Sequence, residues 1–128
     1  MPTTSANHLY EYAVVRICPR IEREEFINVG LVMMCKRRRW VQARILWQPD
    51  RLQALWPEVD LDVLQHQLNS FESIAQGDRS PIGQLEPHER FRWLSAVRSA
   101  SITTSRPHPG KTQNLEATFE HLFKELVE

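Results

Sequence analysis

The sequence predicts an α+β domain: an antiparallel meander sheet of three to four strands, with helices packed mainly on one face. Three observations predict it. Three apolar runs of strand length lie within residues 9–47, short connections join them, and after Pro49 the apolar spacing changes from two to between three and four.

Residues 9–18 (LYEYAVVRIC) are rich in β-branched and aromatic types and stop at Pro19, as a strand does. Residues 26–35 (FINVGLVMMC) are apolar on both faces, the pattern of a central strand. Residues 40–47 (WVQARILW) alternate, with Gln42 and Arg44 opposite Val41, Ala43 and Ile45. The economical topology is antiparallel. Asp50 to Trp56 reads as a short helical turn. Asp60 caps a helix that carries Leu61, Leu64, Leu68, Phe71 and Ala75 on one stripe and ends at Gly77. Pro87 opens a further helix with Phe91, Leu94 and Val97 inward. Ala100 to Ser105 is a short strand candidate. Asn114 caps a last helix with Leu115, Phe119, Leu122, Phe123 and Leu126 on one face.

The 128 residues fit one domain over 1–128, with 1–7 as a flexible N-terminus. A chain of this length buries enough surface to need neither disulfide nor metal. No apolar run approaches the ~20 residues that span a bilayer, and the polar N-terminus lacks the layout of a secretory signal. A cytoplasmic protein with no membrane contact is expected. Cys18 and Cys35 fall near opposite ends of the first hairpin, separated by about nine residues at ~3.3 Å each, beyond disulfide reach. Two small buried thiols are the expectation. Net charge is zero, yet residues 16–44 carry eight bases against three acids. That basic segment hints at an anionic partner.

Catalytic sets are missing. The five histidines show no metal-ligand spacing, there is no G-x-S-x-G elbow, and neither cysteine sits at an activating helix start. Gly110-Lys111-Thr112 resembles the end of a phosphate-binding loop, but Ser105 stands where that loop needs glycine, and Pro107 and Pro109 remove backbone donors. No cofactor is called for, and the reading leans against an enzyme.

One polar constellation remains. With Cys18 opposite Phe26, Arg16 faces Asn28 and Val14 faces Gly30. One sheet face then carries Val15, Ile17, Val29, Leu31 and Ile45 beneath the helices. The other carries Tyr10, Tyr12, Arg16, Asn28, Gly30 and, given an ordinary second turn, Gln42 and Arg44, a floor suited either to an anion or to plain solvent. Gly30 within a central strand marks close approach by another backbone or a ligand. We expect Arg16, Asn28 and Arg98 to converge, with Ser99 or His108 nearby. The competing expectation is that the arginines pair with Glu22 or Glu25 and pin the first loop. His108 or Arg98 could also face an anion at the start of the last helix. The basic turn Lys36, Arg37, Arg38 and Arg39 could touch phosphate, giving nucleic-acid binding that is weak at most.

The run from Tyr12 to Gly30, with Tyr-Ala-Val-Val-Arg, then Pro-Arg, Glu-Arg-Glu-Glu-Phe-Ile-Asn-Val-Gly, resembles the opening of the bacterial family known as domain of unknown function 3037. A second block agrees: Glu89-Arg90-Phe91, Trp93-Leu94, Arg98-Ser99, Ile102, Ser105, His108 and Gly110. The closing Leu-Glu-x-x-Phe-Glu-x-Leu-Phe helix agrees as well, whereas residues 48–80 match loosely. Arg20, Glu22 and Glu25 join Arg16, Asn28, Arg98, Ser99, Ser105 and His108 as polar motif positions. The resemblance implies no activity. It implies an accessory or interaction module, with a HipA-like kinase-type protein as partner. The alternative is an anion-binding or phosphoryl- or nucleic-acid-processing protein that uses Arg16, Arg98 and His108.

Overall fold

The computed structural model describes residues 7–96 and 101–128. Strands β1 (His8–Ile17), β2 (Ile27–Cys35) and β3 (Trp40–Ile45) form the expected antiparallel meander. Helices α1 (Pro49–Leu55), α2 (Leu61–Ala75) and α3 (Pro87–Leu94) follow, then β4 (Ile102–Thr104), β5 (His108–Thr112) and α4 (Leu115–Leu126). The sheet runs β3-β2-β1, and the free edge of β1 is shared: β4 pairs with residues 15–17 and β5 with residues 8–12. The fold is therefore α+β with a five-stranded antiparallel sheet.

The caps are those the sequence advertised. Asp60 Oδ1 accepts from the Val63 amide at 3.2 Å, and Asn114 Oδ1 accepts from the Ala117 amide at 3.0 Å. Gly77, at φ 87°, follows the end of α2. At the start of α3, Glu89 accepts from the Glu86 amide at 3.3 Å, just ahead of Pro87.

Two apolar layers flank the sheet. Ala13, Val15, Ile17 and Ala43 pack under Leu68 of α2 and Phe91 of α3. On the reverse face Val14, Leu31 and Met33 lie under Leu115, Phe119 and Phe123 of α4. Three helices thus share one face and α4 alone takes the other, so the tyrosine-bearing face is not simply a wet one.

The register corrects one expectation. Arg16 pairs with Asn28 and Ile17 with Ile27 as anticipated, but Val15, not Val14, pairs with Gly30. Val29 is the extra residue of a β-bulge, which changes the face of everything after it in β2. Leu31 therefore lies under α4, while Val32 and Met34 join Val15 beneath α2 and α3. Gly30 marks close approach by backbone rather than ligand: a Cβ there would stand 2.7 Å from the Arg44 carbonyl and 2.5 Å from Ile45 Cδ1.

Strand β5 was not anticipated. Pro107, Pro109 and Gly110 read as loop, yet residues 108–112 pair with β1 as an edge strand, where proline is tolerated. Cys35 is buried as expected, whereas Cys18 is only half-buried. Among the described residues no helix is long and apolar enough to cross a membrane.

Candidate functional site

The polar row is real at its centre. Just past the bulge, Arg16 and Asn28 are cross-strand neighbours, and Arg16 Nε donates to Asn28 Oδ1 at 3.3 Å. The guanidinium lies over the exposed Phe26 ring, 4.2 Å from its centroid. Asn28 in turn donates from Nδ2 to the Leu126 carbonyl at 3.0 Å, satisfying one of the orphan acceptors at the end of α4. Asn28 is thus already employed by the fold. Arg16 shares that contact but keeps its charge unpaired: among the described residues no carboxylate pairs with it, so neither Glu22 nor Glu25 holds it. The other half of the expected convergence, Arg98 and Ser99, lies outside the described residues.

His108 does not join this row. It pairs with Tyr12, ring centroids 5.1 Å apart, four residues along β1 from Arg16 or about 13 Å at strand rise. Nor does it face the start of α4. The groups that line that cavity, about 240 Å³ in volume, include His8, Arg38 and Trp40.

Arg20 and Glu25 meet elsewhere. The first loop, turning through Ile21–Arg23 and a left-handed Glu24 (φ 53°), forms one wall of an open cavity of about 390 Å³. Arg20, Arg23 and Glu25 line it on that side, with Trp56, Pro57 and Glu58 facing them from beyond α1. Arg23 Nε and Glu25 Oε1 pair at 2.7 Å, both exposed. Nothing in the spacing of the loosely patterned middle segment pointed to Trp56, because chain contact between the first loop and the end of α1 is purely tertiary.

The basic turn divides. Its hydrogen bond from Arg39 N to Lys36 O, at 3.1 Å, closes the hairpin with Arg39 in the left-handed region at φ 51°. Arg39 is paired with Glu86 at 2.8 Å. Lys36, Arg37 and Arg38 are exposed and meet no carboxylate among the described residues.

Among the described residues two bidentate ion pairs lie away from the Arg16–Asn28 pair, one of them using Arg44 of the expected floor. Arg92 grips Glu11 through two bonds of 2.7 Å, tying α3 to β1. Arg44 grips Glu120 at 2.8 and 2.6 Å, and its guanidinium spans Phe119 and Phe123 of α4. Hydrogen bonds from these arginines hold the Glu11 and Glu120 carboxyls below the usual carboxylate range. Both pairs clamp helices to the sheet.

Ser105 is structural too. Its amide donates to the Val14 carbonyl and its Oγ accepts from the Val14 amide, both at 2.9 Å. Ala13 and Val14 are the β1 residues left between the strands β4 and β5, so Ser105 continues the ladder into that gap.

Among the described residues no three His, Cys, Asp or Glu side chains cluster to hold a metal ion. Neither a curated protein nor a solved structure matches the chain. A family model does match it, over residues 12–127, nearly the whole length. The chain belongs to the family described as protein of unknown function DUF3037.

Proposed function

We propose that this chain is a small, non-catalytic interaction module that receives a protein partner at the corner between the first loop and the end of α1. The observation that carries this reading is the open cavity of about 390 Å³ walled by Arg20, Arg23 and Glu25 on one side and Trp56 on the other. A half-buried tryptophan among charges of both signs suits an interface anchor with a polar rim. It suits catalysis poorly: of the two carboxylates on its wall Glu25 is paired with Arg23, and among the described residues no serine, cysteine or histidine lines it. The family resemblance implies a HipA-like kinase-type protein as the partner.

Co-expression of the two proteins followed by size-exclusion chromatography tests the reading. Co-elution with the intact chain and its loss in Arg20→Glu and Trp56→Ala, each still folded, is the expected outcome. Separate elution of the two wild-type proteins refutes it.

A second reading has one specific observation in its favour: Arg16 lies over the Phe26 ring with no carboxylate partner among the described residues. It makes the Arg16 row an anion-binding surface. Inorganic phosphate should then raise the melting temperature of the intact protein and not that of Arg16→Ala.

A further inference from the structure

The end of the sheet opposite the first loop carries a row of cations, one of them, Arg38, on the wall of an aromatic cavity, independently of the surface proposed above. In the β1–β5 register Leu9 pairs with Lys111, and His8 with Thr112. In β1–β2, Glu11 pairs with Met34, which sets Leu9 level with Lys36 where the hairpin begins to turn. Lys111 and Lys36 thus flank β1 at the same level, about 10 Å apart at ordinary strand spacing. Arg37 and Arg38 extend the row from the turn.

The row divides over the two faces of the sheet. Lys36 and Arg37 border a hollow beside Leu9, a side chain 66% exposed. Arg38 borders the other, smaller cavity of about 240 Å³, whose walls include His8, Trp40 and Gln113. That volume is below the roughly 300–1,000 Å³ of pockets for drug-sized molecules, and it is scaled to one ring system. Among the described residues the only acid on its wall is Glu116. Asn114 also lines it, but its Oδ1 is committed to the Ala117 amide.

We propose that this end of the molecule binds single-stranded nucleic acid. One base stacks in the Trp40–His8 cavity, with its polar edge toward Gln113, while Lys36, Arg37, Arg38 and Lys111 meet the phosphates. Aromatic faces beside unpaired cations are what single-strand binding requires: stacking is tolerant of base identity, and the charges follow the backbone. An acidic peptide would use the cations and leave the aromatic cavity idle. Arg39, although part of the same basic run, takes no part because Glu86 holds it.

The test is fluorescence anisotropy of a labelled twelve-residue deoxythymidine strand with the full chain at about 50 mM salt. Binding should weaken with salt at a log–log slope of about −3, as expected for four contacts at ~0.7 each on a single strand. Replacing Lys36, Arg37 and Arg38 together by alanine should remove most of that slope and at least a factor of ten in affinity. The wild-type protein should bind an abasic strand of equal length about tenfold more weakly, the loss of one stacked base. Circular dichroism verifies folding of the variant, and Arg37→Gln with Arg38→Gln is the milder substitute if the triple change unfolds. No binding at low salt overturns the proposal, and so does equal affinity for the abasic strand. Equally tight binding of polyglutamate overturns it in favour of an acidic protein segment.

Discussion

Ser105→Ala separates a structural from a functional role for a position that the family resemblance singles out. In the folded chain the Val14 amide is buried, on a residue only 4% exposed, and its acceptor is Ser105 Oγ at 2.9 Å. Neither neighbouring strand can replace that acceptor, because β4 pairs with β1 only from Val15 onward and β5 only as far as Tyr12. Alanine keeps the backbone bond from Ser105 N to Val14 O and deletes the oxygen, so one buried N–H is left unsatisfied. Such a group costs about 1–3 kcal/mol. We take about 2 kcal/mol, which for a domain of this size lowers Tm by roughly 6–10 °C. The assay is urea unfolding followed by circular dichroism, where the midpoint should fall and the m-value stay constant. Hydrogen exchange at the Val14 amide should accelerate locally in the same variant. A Ser105→Ala protein within about 0.5 kcal/mol of wild type, with Val14 still protected, would refute the ladder account.

Gly30→Ala should destabilise by about 1–3 kcal/mol, since its Cβ meets the Arg44 carbonyl and not a movable side chain alone; urea midpoints measure it. Asn28→Ala should cost about 1–2 kcal/mol by releasing both Arg16 and the Leu126 carbonyl, and exchange should quicken in the last turn of α4. Glu11→Gln tests the pH dependence. The Arg92 bonds make the folded Glu11 carboxyl more acidic than its ordinary 4.5, so its contribution is complete above that value and disappears as pH falls through the lower folded one. The variant should lose under about 1 kcal/mol at neutral pH, the pair being partly exposed, and its stability should decline less steeply below pH ~4.5 in an acid titration.

The architecture was readable wherever one residue's environment depends on its near neighbours. Strand runs, caps at Asp60 and Asn114 and the stripe of α4 are all of that kind, and each is present. The register around Arg16 and Asn28 followed from the short first loop. What parity counting could not reveal was the bulge at Val29, since a run apolar on both faces reads the same in either phase. Leu31 was misplaced for that reason alone. Strand β5 was hidden by Pro109 and by Pro107 just ahead of it. Its composition describes a loop, and only the unpaired edge of β1 makes it a strand. The cavity beside Trp56 and the one beside Trp40 both depend on segments distant in sequence, so neither tryptophan announced a surface.

The polar motif positions can now be divided by what the fold already asks of them. Asn28 closes the end of α4, Ser105 continues the β1 ladder, and Gly30 admits the backbone of β3. Gly110 belongs with them, because a side chain there would collide with the Tyr10 ring lying across it. These four would be required in a protein that bound nothing. Arg16, Arg20, Lys36, Arg37 and Arg38 are different: among the described residues no carboxylate pairs with them, and no helix end or strand ladder uses their charge. Retaining an unpaired surface arginine contributes little to stability, as even a paired one adds only about 0–1 kcal/mol. Function is therefore to be sought among the residues whose charge the fold leaves unused, at the two ends of β1.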